Sequence, residues 1–558
     1  MEHMDTNLTA QNTAEESSLN KSITTGFLLK FTMPTILSYV LMSVFGIIDG
    51  LFAQRAIGPS ALTAVGLIAP FFMLTMSIGA MLSMGGSALV AKMKGEGDKH
   101  SARQIFTLLS IITLVTSAML SGAGLFITEP ILRLLGTSYE MMPIAREYMI
   151  MITYFIPAIM LGMFLVQFLI VEGKPGLSAT ISLSGTLTNT VLNWFFLFRL
   201  DMGVEGLVLA TGIGYTIPAL VGVLYFIFNR KGSLFFTKPK WDLKAIGISS
   251  LNGASEMVTM LATTLTTIVM NNVLVRMDGV GDLGVAVATM VMSFVPIFGA
   301  LFMGYAAGVG PLISYNYGKQ NHKRTQKLFR KSMVIVSALA LLATALTVGF
   351  AHWLIGIYVS PGEYITGYYP GFGYFQEYIG FMHGMAVRGL RFAALGFLFM
   401  GVNTFASAMF TALNNGVVSG FLSLMRTLIL ALPLLILLPM RWDLNGVWLA
   451  LPLAEVLSIA VSAFFLLKMA KRYGYGKLVQ GENVHTELLV QLAQKEEEIA
   501  CLQAEIMEDR ARWQEERKRH AIKKLELESL LRVYKKREKA QEVVEKLRPV
   551  YKVKVYMK

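Results

Sequence analysis

The sequence predicts an all-α membrane protein: twelve transmembrane helices in two six-helix lobes related by a pseudo-two-fold repeat, followed by a charged helical tail. Three observations predict it. Of 558 residues, 54% are hydrophobic and only 15% charged, and mean hydropathy is +0.56; soluble domains carry about 25% charged residues. Twelve runs are long and apolar enough to cross the hydrocarbon core, which takes about 20 residues. Finally, the two halves of the apolar region echo each other.

The twelve runs are 27–50, 61–90, 104–127, 145–171, 177–199, 205–229, 245–275, 284–315, 331–359, 388–413, 417–440 and 445–469. They divide the chain into a polar N-terminus (1–26), an N-lobe (27–230), an inter-lobe loop (231–244), a C-lobe (245–470) and a tail (471–558). Basic residues gather in alternate short loops: Lys92, Lys94, Lys99 and Arg103; Arg230, Lys231, Lys238, Lys240 and Lys244; Lys319, Lys323, Arg324, Lys327, Arg330 and Lys331. Asp278 and Asp282 occupy a loop on the opposite side. By the positive-inside rule both termini are cytoplasmic, and the chain is expected in a plasma (inner) membrane of bacterial type. Its net charge of +13 thus reads as topology, and no nucleic-acid partner is expected. The first 20 residues lack an apolar core with a cleavage site, so no cleaved leader is expected. The single cysteine, Cys501, excludes an intramolecular disulfide and a cysteine-rich metal site.

Residues 87–106, SALVAKMKGEGDKHSARQIF, align with 310–329, GPLISYNYGKQNHKRTQKLF, at an offset of 223: Leu89 with Leu312, Gly95 with Gly318, Phe106 with Phe329. GLVLATGIGY at 206–215 aligns with GVWLALPLAE at 446–455, offset 240. Such parallel repeats relate two lobes about an axis along the membrane normal. The growth in offset, 240 minus 223, places about 17 extra residues in an outward insertion near 360–386. That stretch reads either as a surface loop with an interfacial helix or as a cap over the outward mouth.

Ionisable residues inside spans are expensive, and by default they are functional hypotheses. Four stand out: Asp49 near the outer end of the first span, Glu256 in the seventh, Arg426 in the eleventh and Glu455 in the twelfth. A carboxylate in such a place can exchange a proton or supply the charge for a bound cation. Arg426 and Glu455 also read as a structural ion pair. Asn189 and Asn193, four apart in TLTNTVLNWFF, share one helix face; they pack against a neighbouring helix or ligate an ion, to which Thr211 adds an oxygen. Pro34, in KFTMPTIL, removes a backbone hydrogen bond and permits a kink in the first span. The 34 methionines suit either lipid-embedded packing or a surface that accepts many ligands. No phosphate loop, catalytic triad or zinc motif is present, so an enzyme is not expected.

Several of these segments carry a resemblance. PTILSYVLMSVFGIIDGLFAQRAIGPSALTAVGL, SMGGSALVAKMKGEGD, LTNTVLNWFFLF and MGVEGLVLATGIG in the first half, with NGASEMVT, PLISYNYGKQN and FASAMFTALNNG in the second, resemble the multidrug and toxic compound extrusion (MATE) family over about 27–470. The resemblance implies two lobes that rock around a central cavity, and efflux of small organic cations in exchange for protons or sodium, with no cofactor. It implies that Asp49 is the cation-coupling acid, with Asn189 and Thr211 in the same site and sodium at Asp49 as the one metal to consider. Asn193 departs from a family pattern that often has Asp there, which weakens a sodium site. Glu256 matches an acid of the seventh span found in part of the family and, with Glu455, is a substrate or proton candidate. Two rivals remain: a flippase of a lipid-linked precursor, which would want a cationic cavity, and a transporter-derived scaffold acting through its tail. In the tail, Leu488, Leu492, Ile499, Leu502, Ile506, Trp513, Leu527 and Leu530 approach heptad spacing, but Lys495, Asp509, Glu516, His520 and Lys523 interrupt it. Both a solvated single helix and self-association through a coiled coil fit that pattern.

Overall fold

The computed structural model describes residues 22–57, 59–135, 137, 139, 141–277, 281–358, 375–476, 507, 510 and 513–543. The N-lobe runs α1 (Thr25–Ile57), α2 (Pro59–Gly95), α3 (Lys99–Phe126), α4 (Met142–Val171), α5 (Pro175–Phe198) and α6 (Gly203–Phe228), with a short helix at Thr128–Leu134. The C-lobe runs α7 (Leu243–Val275), α8 (Gly281–Gly318), α9 (His322–Gly356), α10 (Phe375–Ala412), α11 (Gly416–Leu437, built of two α segments around a π-helix) and α12 (Pro439–Met469). Eleven of the described helices are apolar enough to span a membrane by length and hydropathy. The twelfth is α5, whose hydropathy is diluted by the serines, threonines and asparagines that line the cavity described below.

The repeat reappears in the backbone. Gly97 and Gln320 both have positive φ and lie 223 apart; Gly173 and Asn414 lie 241 apart, Gly203 and Asp443 240 apart. Each N-lobe glycine makes the turn without steric cost, and its C-lobe counterpart makes it with a side chain. Asp443 (φ 45, ψ −135) lies outside the left-handed helical region. A non-glycine residue in such a region costs about 1–3 kcal/mol. Asp443→Gly is therefore expected to raise the melting temperature in detergent, by about 1 kcal/mol of stability; an unchanged or lower melting point would contradict this.

The lobes meet at the end that carries the basic loops. A Cβ on Gly85 of α2 would run into the Ser249 carbonyl of α7, and one on Gly253 into the Met81 carbonyl, so these backbones touch directly. Close to this seam the Asn252 amide donates to Asn414 Oδ1 (2.8 Å), and Gln167 Nε2 reaches Ala307 O across the lobes (3.4 Å). The first half of α1 packs into the C-lobe core through Leu28, Phe31 and Ile36. Its second half faces α5. Pro34 lies within the stretch packed on the C-lobe. The helix is not interrupted there, although the Lys30 carbonyl loses its usual i+4 donor.

Each lobe ends in a strap. Glu172, at the end of α4, accepts from Ser233 N (2.6 Å), Ser233 Oγ (2.6 Å) and Leu234 N (3.0 Å). This pins the start of the inter-lobe loop, and Phe236 stacks on Phe106 (centroids 5.2 Å). In the C-lobe, Tyr475 packs on Phe329 (4.9 Å), the residue paired with Phe106 by the repeat.

Two expectations need comment. The tenth span begins earlier than 388: within the 360–386 stretch, 375–386 is helical and continuous with α10. Residues 359–374 lie outside the described residues, as does Asp278; the cap reading rests on the former. In the tail, a separate unit from 477 onward, residues 513–543 form a helix whose side chains are all exposed.

Candidate functional site

One cavity of about 360 Å³ lies between the lobes, within the usual range for small-molecule sites. α1 contributes Thr35, Ser38, Tyr39, Met42 and Asp49; α5 contributes Ser178, Ser182, Thr186 and Asn189; α6 contributes Thr211 and Tyr215. The C-lobe contributes Glu256, Met260, Met303, Ala306 and Thr404. Six methionines line it: Met42, Met76, Met84, Met163, Met260 and Met303. Among the lining residues the charged ones are Asp49 and Glu256, one from each lobe. The wall is otherwise neutral, soft and polarisable, which suits a cation of variable shape.

Asp49 is surrounded by donors. Asn193 Nδ2 donates to its Oδ1 (3.0 Å) and Thr190 Oγ1 lies 3.4 Å from the same oxygen. The Asn189 amide turns Nδ2 to Asp49 Oδ2 (2.5 Å) and Oδ1 to the Thr211 N–H (3.1 Å); the opposite orientation would set two oxygens face to face. The face predicted for α5 thus holds: Asn189 and Asn193 both reach Asp49 from one side. Thr211 joins through its backbone, while its hydroxyl donates to Leu207 O (2.9 Å). Asn193 is fully buried, and its Oδ1 has no hydrogen-bond partner among the described residues.

This geometry bears on the ion. A hard monovalent cation is held by oxygen lone pairs. Around Asp49 the neighbours present N–H and O–H groups, leaving the carboxylate's own lone pairs and the orphaned Asn193 Oδ1. Sodium would need both amides to turn. A proton needs one turn: protonated Asp49 becomes a donor, and Asn193 Oδ1 is the acceptor at hand.

Glu256 lies opposite, 8% exposed, with no hydrogen bond to any described residue. Glu455 is elsewhere. It does not line the cavity among the described residues but lies inside the C-lobe, its Oε1 3.8 Å from Arg426 Nε, as the ion-pair reading expected. Sequence reasoning missed Thr190 and Asn403. Thr190 differs from many span threonines only by lying between two asparagines. Asn403, which donates to Glu455 Oε2 (2.7 Å), is marked by being an amide within a span.

Two lobes around a cavity that carries an acid on each side define a multi-pass membrane transporter. A family model described as MatE matches residues 34–195 and 256–437, and the chain belongs to that family. It is 22% identical over 476 residues to the multidrug export protein MepA of Staphylococcus saprophyticus, covering 84% of this chain and 98% of that one. To MepA of Staphylococcus haemolyticus it is 23% identical, covering 82% and 95%. Among solved structures, a MATE protein in complex with MaL6 superposes with a TM-score of 0.74 at 20% identity, over 80% of this chain and 97% of that one. An outward-facing multidrug resistance MATE transporter gives 0.73 at 20% identity, over 80% and 96%.

Proposed function

We propose that this chain is a secondary active multidrug exporter that exchanges organic cations for protons by alternating access, in a plasma membrane with both termini cytoplasmic. The observation that carries this reading is the shared cavity: an otherwise neutral, methionine-rich wall with Asp49 on one lobe and Glu256 on the other. The backbones of α2 and α7 are in direct contact at the basic end; with that end cytoplasmic, the cytoplasmic gate is closed and the cavity is reached from outside. Protons loading the acids from outside displace a bound cation. Asp49 then changes from acceptor to donor, and Asn193 must turn to match it. That rearrangement between α1 and α5 is the link from proton to helix movement. A lipid-linked pyrophosphate would want basic lining residues, and the charged lining residues are acids.

The test is ethidium efflux from reconstituted vesicles, with proton and sodium gradients imposed separately. A proton gradient alone should drive uphill efflux. Sodium alone should drive little, and Asn193→Asp, which converts a donor amide into ligand oxygens, should raise the sodium dependence. Strong sodium stimulation of the native chain would overturn the proton reading. Removing 477–558 should leave efflux intact; loss of efflux would favour a working tail. If the exposed Leu527, Leu530 and Leu531 pair two copies, the same deletion converts a dimer to a monomer in light scattering.

A further inference from the structure

Behind the cavity wall the C-lobe holds a charge cluster that the efflux reading leaves without a task. α11 widens at Met425–Leu430 into a π-helix, a feature frequent at functional sites. Arg426 is the buried residue of that segment. Its Nη1 donates to Thr404 Oγ1 (2.7 Å), and its Nε lies 3.8 Å from Glu455 Oε1, too far for a hydrogen bond. A guanidinium has five donors, and among the described residues Arg426 uses one. Glu455, by contrast, is fixed. Asn403 Nδ2 donates to its Oε2 (2.7 Å) and to its backbone carbonyl (2.9 Å), and Ser462 donates to Asn403 Oδ1 (2.8 Å). Thr404, the one hydrogen-bond partner of Arg426 among the described residues, lines the same cavity as Glu256. Through Thr404 the guanidinium adjoins the cavity that Glu256 lines.

We infer that Arg426 is a tethered counter-cation shared between Glu455 and the cavity-lining Glu256, a positioning residue that sets how strongly Glu256 competes for organic cations and protons. The inference rests on Glu256 being the cation-binding acid. Two carboxylates and one guanidinium leave the cluster one negative charge, and a monocation in the cavity neutralises it. The loose hold on Arg426 is what sharing requires: a guanidinium locked bidentate on Glu455 would be screened from the cavity. Few other charges intervene. Tyr39 and Asp49 of α1 face Glu256 across the cavity. Arg388 and Arg391 of α10 lie at least 13 residues, about 20 Å, from Thr404. α2 brings Lys92 and Lys94 only in its last turn, α8 has Asp282 at its start, and α12 adds Arg441 and Asp443 before its kink. On α7 itself Lys244 lies in the first turn.

The test is ethidium affinity against pH for the purified full-length protein in detergent, with melting temperature alongside. Wild-type affinity should rise with pH through one midpoint. Arg426→Gln should move that midpoint alkaline by roughly one pH unit, because Glu256 loses a cation that favoured its charged form. Glu455→Gln should move it acid, because Arg426 then belongs to Glu256 alone. Arg426→Lys should stay near the wild type, and Arg426→Gln/Glu455→Gln should fall between wild type and Arg426→Gln. Midpoints that stay put while melting temperatures fall would make the pair purely structural and overturn the inference. If Arg426→Gln does not fold, the acid shift of Glu455→Gln decides alone. Glu256→Gln separates the two layers: if it keeps the wild-type midpoint, the cavity reading fails. If it flattens the profile while Arg426→Gln leaves the midpoint unmoved, only the role of Arg426 fails.

Discussion

Asp49→Asn will abolish proton-driven uphill efflux while the protein stays folded. The change removes the one charge that Asn189, Thr190 and Asn193 converge on and leaves the side-chain volume almost unchanged. The new amide offers one oxygen where the carboxylate offered two. Its Nδ2 confronts a neighbouring donor unless Asn189 or Asn193 turns. One buried donor left unsatisfied costs about 1–3 kcal/mol, enough to lower the melting point without unfolding the lobe. Coupling is lost for a different reason: an amide does not bind and release a proton in this range, so the donor–acceptor exchange with the asparagines cannot occur. Vesicles with an imposed proton gradient report the result directly. Uphill ethidium efflux at the wild-type rate in the Asn variant would remove Asp49 from coupling.

Much of this was legible in the sequence, for identifiable reasons. The spans are legible because lipid permits little besides helices, so an apolar run of the right length has one meaning. The repeat was visible in Phe106 and Phe329, and the structure shows why both are aromatic: each receives the strap that leaves its lobe, Phe236 in one case and Tyr475 in the other. Asn189 and Asn193 were legible as a pair because helical periodicity alone puts them on one face. That their amides point donors at Asp49 was not legible, because amide orientation is set by the third partner, the Thr211 N–H. The start of α10 was misplaced because the interfacial tyrosines upstream look like loop, while helix continuation is decided by packing against α9. Glu455 and Glu256 look alike in sequence, two acids in apolar runs. Only tertiary structure distinguishes one held behind the wall by Arg426 and Asn403 from one facing the cavity.

In the proposed cycle, the packed seam would let small polar changes move whole lobes. Backbone contacts at Gly85 and Gly253 are short-ranged, so they hold only in register and release together when α2 and α7 shift. Packed interfaces of this kind behave as two-state elements rather than springs. α1 is suited to carry the signal, since its first half is packed with the C-lobe and its second half holds Asp49 against α5. In the proposed cycle, a turn of Asn193 on protonation would act at one end of this helix, and the packed seam lies toward the other.

Glu256→Gln will weaken binding of ethidium-like cations by about 10- to 100-fold while leaving neutral ligands nearly unaffected. A carboxylate and a cation about 4 Å apart attract by roughly 4 kcal/mol at an effective dielectric of 20. Desolvation of both partners offsets a large part, and a surviving 1.4–2.8 kcal/mol is about one to two decades of affinity. Neutral ligands draw on the methionines and aromatic rings of the wall, which the substitution leaves in place. The amide also imitates the proton-loaded acid permanently, so the pH dependence of cation binding should flatten, with affinity low at every pH. The sign follows from the proposed competition: if wild-type Glu256 binds a cation when deprotonated and releases it when a proton arrives, native affinity rises with pH and the variant's does not. If Glu256 instead served only to hold helices together, glutamine would replace its hydrogen bonds, and cationic and neutral affinities would fall together or not at all. In this structure it makes no such bonds to the described residues, which is why the two ligand classes are expected to separate. Titrating one cationic and one neutral dye across pH 5 to 9, for both proteins in the same detergent, gives the answer; equal losses for the two dyes would place Glu256 outside the transport cycle.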